Sequence, residues 1–227
     1  MAAPIQLVYA PIAGRGELAR MIIATGEIEG ATELCEMANF GTPELNTGES
    51  KKEYVSPSGM PLLSHGDLKM SQSGAIESYL ASIAPRYSGL TAQQRGIDMM
   101  YSGIKEELLF NCAKAIFTTK KTDEEQAKKD VNALFDKWFA IFEEKVPDSG
   151  FIQGLDFPTV ADLALLNITT GFMPFGAASK LVGGYDFGKF PKVKALCDRA
   201  AADEKLASFL SGGHAIKCQK DQNPFGF

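Results

Sequence analysis

With 227 residues, 45% hydrophobic and 22% charged, the chain has an ordinary globular composition and is long enough for one large domain or two modest ones. Its net charge of −5 argues against a nucleic-acid binder, which usually shows a basic stripe, and gives no support to a polybasic membrane contact. No apolar run approaches the roughly 18 residues that span a bilayer, and Met1-Ala2-Ala3-Pro4 lacks the features of a secretory leader, so a cytoplasmic, membrane-free protein is expected.

In chain order, residues 5–9 (Ile-Gln-Leu-Val-Tyr) are β-prone and predict a first strand. Pro11, Gly14 and Gly16 punctuate a loop, and residues 17–26 carry apolar side chains at helical spacing up to Gly26. A second strand is expected over 31–36. A long polar loop over 39–58 follows, of the length that often binds something. Gly59-Met60-Pro61-Leu62-Leu63, a turn at His65-Gly66-Asp67 and Leu68-Lys69-Met70 predict a hairpin, and residues 74–84 a helix. A mixed sheet with helices packed on it fits this order.

From Thr91 the pattern is helical, with expected helices at 91–119, 123–146, 159–172, 191–200 and 203–210 and no convincing strand. The predicted organisation is therefore a mixed α/β domain over 1–84, a linker over 85–92, an all-helical domain over 93–210 and a Gly- and Pro-bearing tail over 211–227. Thr159-Val160-Ala161-Asp162 before an apolar run reads as a capping box with an acidic partner, a folding device.

The four cysteines, Cys35, Cys112, Cys197 and Cys218, form no CxxC pair and read as free thiols in a reducing compartment. The two histidines, His65 and His214, stand near none of them in sequence, so neither a zinc site nor a Cys–His nucleophile is expected. By position alone Tyr9 is a strand aromatic with a satisfied hydroxyl, Ser73 a plain N-cap, Pro61 either a hairpin-edge proline or a cis one, and Lys52 a solvated loop charge.

Four pieces in fixed order carry more: Tyr9-Ala10-Pro11-Ile12-Ala13-Gly14-Arg15-Gly16-Glu17-Leu18-Ala19-Arg20, Gly59-Met60-Pro61-Leu62-Leu63, Met70-Ser71-Gln72-Ser73 and Thr159-Val160-Ala161-Asp162. Together, over about residues 5–210, they resemble the cytosolic glutathione transferases that use a tyrosine, most of all the sigma class. The resemblance implies a thioredoxin-like N-terminal domain followed by a helical C-terminal domain, and conjugation of glutathione to hydrophobic electrophiles. Glutathione is a co-substrate in that chemistry, with no metal and no bound cofactor.

It also implies roles. Tyr9 donates a hydrogen bond to the glutathione sulfur and so lowers the thiol's pKa, with Arg15 as a nearby positive charge. Met60, before a cis Pro61, pairs with the cysteinyl backbone as an added strand would. Gln72 and Ser73 hold the γ-glutamyl carboxylate at a helix N-terminus. Lys52, next to an equally basic Lys51, meets the glycyl carboxylate. Phe40 replaces the tryptophan of many relatives and lacks its N–H donor. Glu106 reaches the γ-glutamyl amino group of the neighbouring subunit, which requires a homodimer. Ala10, Ala13, Phe110, Ala113, Ile116 and Phe117 are expected to wall the electrophile pocket, although helical apolar stripes also make core. Phe225 and Phe227 either fold over the site or do not. Three other activities share the scaffold: a weakly catalytic carrier of apolar ligands, a glutathione-dependent isomerase or peroxidase, and a thiol–disulfide oxidoreductase. The last needs a cysteine near the end of strand one, where this chain has Tyr9.

Overall fold

The computed structural model describes residues 3–35, 52–56, 59–214 and 216, and the backbone alone of Cys35. Phe40, Lys51, most of the 39–58 loop, Cys218, Phe225 and Phe227 lie outside the described residues. The chain divides into two compact units, one running to Leu90 and taking in the chain from Ser208, the other Thr91–Ala207.

The first unit is built on a four-stranded sheet of order β2-β1-β3-β4. Its strands are β1 (Ile5–Tyr9), β2 (Thr32–Cys35), β3 (Leu62–His65) and β4 (Leu68–Ser71). β2 runs parallel to β1, and α1 (Glu17–Thr25) supplies the crossover such a pair needs. β3 is antiparallel to β1, and the turn at Gly66, with φ of 59°, returns the chain along β4. α2 (Ser73–Ile83) packs against α1.

Register positions the site. Val8 stands opposite Leu62, and Leu62 opposite Ser71. One step beyond each of these lie Tyr9, Pro61 and Gln72, so three predicted site residues reach the same end of the sheet. The Met60–Pro61 peptide bond is cis.

The second unit is helical, with no strand among its described residues. It contains α3 (Ala92–Lys114), α4 (Glu124–Lys145), α5 (Val160–Thr169), α6 (Phe175–Leu181) and α7 (Pro191–Ala201); α8 (Glu204–Leu210) follows. α5 is apolar nearly all round and buried from Val160 to Ile168, as a central helix must be. α3 and α7 pack on it. On α4, Phe135, Phe139 and Phe142 meet edge to face in succession, with centroids 6.1 and 5.5 Å apart.

Boundaries follow local chemistry. Thr91 caps α3, its Oγ1 accepting from the Gln94 N–H at 3.2 Å while Gln94 Oε1 accepts from the Thr91 N–H at 3.0 Å. The α-helix gives way at Ala115 to a π-helical stretch, Ala115–Thr119, where an uninterrupted helix was expected. The helix expected over 159–172 stops at Thr169, because Gly171 adopts a φ of 78°. α6 was not predicted at all. Its start, Phe175-Gly176-Ala177-Ala178, is too small and too short for a periodic signal, and a Cβ on Gly176 would clash with the Gly171 carbonyl.

The Thr159–Asp162 device is present and extends further than a cap. Asp162 Oδ2 accepts from the Thr159 N–H at 2.8 Å, and Oδ1 accepts from the Ile152 N–H at 2.9 Å. Asp98 on α3 points at the same helix start. Its Oδ1 accepts from Thr159 Oγ1 at 2.7 Å and the Ala161 N–H at 3.0 Å. Both carboxylates are buried at a positive helix end. Burial pushes the Asp162 pKa up to about 6 against the pull of its amide donors, and raises that of Asp98. Cys112 and Cys197 are free and buried, and burial pushes their thiols up to about 12 and about 11.

Candidate active site

β1 delivers Tyr9 to the sheet's end, and the chain turns back at once. The Ile12 N–H donates to the Ala10 carbonyl at 2.8 Å and the Gly16 N–H to the Ala13 carbonyl at 3.1 Å. Residues Gly14–Gly16 form one 3₁₀ turn leading into α1. The Tyr9 ring lies across this turn, only 8% exposed, and its hydroxyl oxygen accepts the Arg15 N–H at 2.9 Å.

Two glycines make room for it. A Cβ on Gly16 would lie 2.5 Å from Tyr9 Cδ1, and one on Gly14, where φ is +45°, would clash with the hydroxyl itself. Gly16→Ala, which at φ of −83° has no φ penalty, is therefore expected to displace the ring and lower any turnover that depends on it by about tenfold, at a stability cost of about 1–3 kcal/mol. Steady-state kinetics and urea unfolding measure the two effects. Wild-type turnover in this variant would mean that the ring's placement does not matter.

Met60 packs against the cluster of Tyr9, Ala10 and Ile12. Gln72, exposed and with φ of 72° and ψ of 116°, is the N-cap of α2, and its carbonyl accepts the Ile76 N–H at 3.0 Å. Ser73, the first residue of α2, is buried. Lys52 is exposed, and its carbonyl accepts the Val55 N–H at 3.2 Å. The Arg15 side chain is half-buried, and the residue's firm contribution is its backbone N–H.

The other predicted residues lie on the helical unit. Glu106 sits half-buried on α3, with a carboxylate oxygen 3.7 Å from Lys105 Nζ. Of the expected apolar wall, Ala10, Ala13 and Ile116 are buried, Ala113 and Phe117 half-buried, and Phe110 is 59% exposed. Phe110 thus belongs to no core. Among the described residues no group of three or more His, Cys, Asp or Glu is arranged to hold a metal ion, and no helix is long and apolar enough to cross a membrane.

Sequence reasoning missed Arg20. It is buried on α1, and its Nη2 and Nη1 donate to the Ala10 and Ile12 carbonyls at 2.9 and 2.7 Å. The signal was an arginine inside the helix Glu17–Thr25, where every other residue from Leu18 to Ala24 is apolar.

Residues 106–212 match the family model described as glutathione S-transferase, C-terminal domain. The fold is that of a glutathione S-transferase. Glutathione S-transferase A4 of Mus musculus is 29% identical over 223 residues, which cover 97% of this chain and 94% of that protein. A major nematode-specific transferase of C. elegans superposes with a TM-score of 0.71 at 22% identity, covering 99% of this chain and all of that one. Rat hPGDS, solved with a quinoline, superposes with a TM-score of 0.67 at 17% identity, covering 92% and 96% of the two chains. These likenesses are to glutathione S-transferases, one at the level of distant sequence and the others at the level of fold. In the terms of that fold, the first unit carries Tyr9, Met60, Pro61, Gln72 and Ser73, and the matched segment begins at Glu106.

Proposed function

We propose that the protein is a glutathione transferase of the tyrosine type, in which the Tyr9 hydroxyl donates to the glutathione sulfur and holds it as the thiolate. The observation that carries this reading is the hydroxyl's setting. Its oxygen accepts the Arg15 N–H at 2.9 Å on a turn two glycines keep open, and accepting there leaves the O–H as the group's donor. A donor aimed at sulfur favours its charged form, and the thiolate is the nucleophile. The positive end of α1, which begins at Glu17, adds to the same field.

Binding of the tripeptide follows from the shared register. Met60 offers its backbone beside Tyr9 to the cysteinyl peptide, like an added strand. The α2 N-terminus at Gln72 and Ser73 takes the γ-glutamyl carboxylate. Lys52 takes the glycyl carboxylate. The thiolate then attacks an apolar electrophile. A relative solved with a quinoline is in keeping with an apolar, aromatic guest. The step forms a carbon–sulfur bond and expels a leaving group, or adds across an activated double bond. Orientation and anion stabilisation supply the rate.

The same reading makes the protein cytoplasmic and homodimeric, with Glu106 serving the neighbouring subunit's glutathione. Ile97 and Met100, exposed one helical step apart on α3, suit a covered face. The experiment is retention on immobilised glutathione followed by conjugation to 1-chloro-2,4-dinitrobenzene. Retention with turnover is the expected result. Retention without turnover for this or other electrophiles would make the protein a carrier, and no retention would sink the reading.

A further inference from the structure

Arg20 donates every N–H it has. Nε donates to the two carboxylate oxygens of Glu33 at 2.9 and 3.1 Å, and Nη2 to Glu33 Oε1 at 2.6 Å and the Ala10 carbonyl at 2.9 Å. Nη1 donates to Glu17 Oε2 at 2.8 Å and the Ile12 carbonyl at 2.7 Å, with the Ala13 carbonyl at 3.5 Å. Its guanidinium carbon lies 5.5 Å from the centroid of the Tyr9 ring. The side chain is fully buried. Burial alone would lower its pKa, but Glu17 and Glu33 more than offset that and hold the charge in place.

A stabilising ion pair needs one partner, and this arrangement has more. Three carbonyls from the four residues after Tyr9 point at one cation, and two carboxylates from different elements, α1 and β2, fix that cation against rotation. The turn these carbonyls define is the one that aims the Arg15 N–H at the Tyr9 oxygen. We propose that Arg20, clamped by Glu17 and Glu33, is the positioning residue for the Tyr9 hydroxyl. It holds the 10–13 carbonyls so that the phenol presents its proton to the sulfur, and in this way sets the acidity of the bound thiol. The inference rests on the tyrosine reading above. Lysine cannot replace it: an ammonium keeps the charge but has three donors on a flexible stem and no planar fork.

The test is a titration of the ultraviolet thiolate absorbance of bound glutathione in the full chain, for wild type, Arg20→Lys, Tyr9→Phe and the double variant. S-methylglutathione affinity, which involves no thiolate, is measured alongside. Arg20→Lys is expected to raise the bound thiol's pKa by about one unit, a roughly tenfold loss of thiolate at pH values below both midpoints. S-methylglutathione Kd should stay within about twofold, and in the Tyr9→Phe background the same substitution should add nothing, because two residues acting through one hydroxyl are not additive. The proposal is overturned if Tyr9→Phe raises the thiol pKa and Arg20→Lys does not, or if the two shifts simply add. If Arg20→Lys does not fold, Glu33→Gln replaces it. That variant keeps the shape, loosens the clamp and is expected to give a smaller shift with the same non-additivity, and its absence overturns the proposal equally. A Tyr9→Phe protein whose thiol titrates like wild type would instead sink the tyrosine reading, and this inference with it.

Discussion

Tyr9→Phe is expected to lower kcat/KM for glutathione conjugation by about thirtyfold near pH 7, with KM for glutathione changed by less than about twofold. On the proposed reading the hydroxyl meets the tripeptide at its sulfur alone, while recognition is spread over Met60, Ser73 and the α2 N-terminus, so binding and chemistry should separate. A hydrogen bond to a charged acceptor contributes about 1.5–3 kcal/mol, enough to lower a thiol pKa by about two units from its usual value near 8.5. At neutral pH that moves the thiol from a few per cent ionised to mostly ionised. The deficit is therefore expected to shrink as pH rises, and to come within a few-fold of wild type near pH 9. Steady-state kinetics across this range check it. A deficit independent of pH would mean that the phenol acts on the transition state and not on the thiol's proton. Equal losses in KM and kcat would mean that it is part of the binding frame.

The second large effect is on stability. Asp162→Ala removes the acceptor of two backbone N–H groups, from Ile152 and Thr159, at the start of a buried helix. Unsatisfied buried donors cost about 1–3 kcal/mol each. Relief of a buried charge beside Asp98 offsets part of that, so the net loss at pH 7 is expected to be about 2–3 kcal/mol. In a chain of this size that lowers Tm by roughly 4–12 °C. Its pH dependence is distinctive. The folded pKa of Asp162, about 6, stands above its ordinary 3.8, so the native state binds the proton more tightly. The stability due to the protonated group is complete below about pH 4 and is lost as pH rises through 6. Wild type should lose it over that window and the variant should not, so the gap between them narrows toward neutrality. Urea unfolding at several pH values measures this. A gap that widens with pH would show the opposite linkage, a carboxylate kept ionised by its amide donors.

Much of the fold was legible because its signals are local. Ile5–Tyr9, the hairpin around Gly66 and the α5 capping box each announce themselves within a few residues, and the register then brings Tyr9, Pro61 and Gln72 together without further information. What escaped was non-local or weak. Arg20 reads as one half of a helix-surface pair with Glu17 until the chain folds, because its other partners are three carbonyls, which every residue possesses, and Glu33, thirteen positions away. Gly14 and Gly16 read as turn-formers, and only the Tyr9 ring lying across them shows that a side chain is excluded. α6 is short and built on Gly176 and alanines, so periodicity could not detect it. Phe110 sits in an apolar stripe yet is exposed, because a helix of 23 residues presents every face in turn, and a stripe read from sequence does not say which of its members enters the core.

The most direct measurement is the ionisation of glutathione's own sulfur in the complex with the wild-type chain, followed by ultraviolet absorbance as pH is varied. A midpoint about two units below that of the free tripeptide, between roughly 6 and 7, is what a phenol donating to the sulfur predicts. A midpoint left where free glutathione has it, in a protein that binds the tripeptide, would contradict the account at its root.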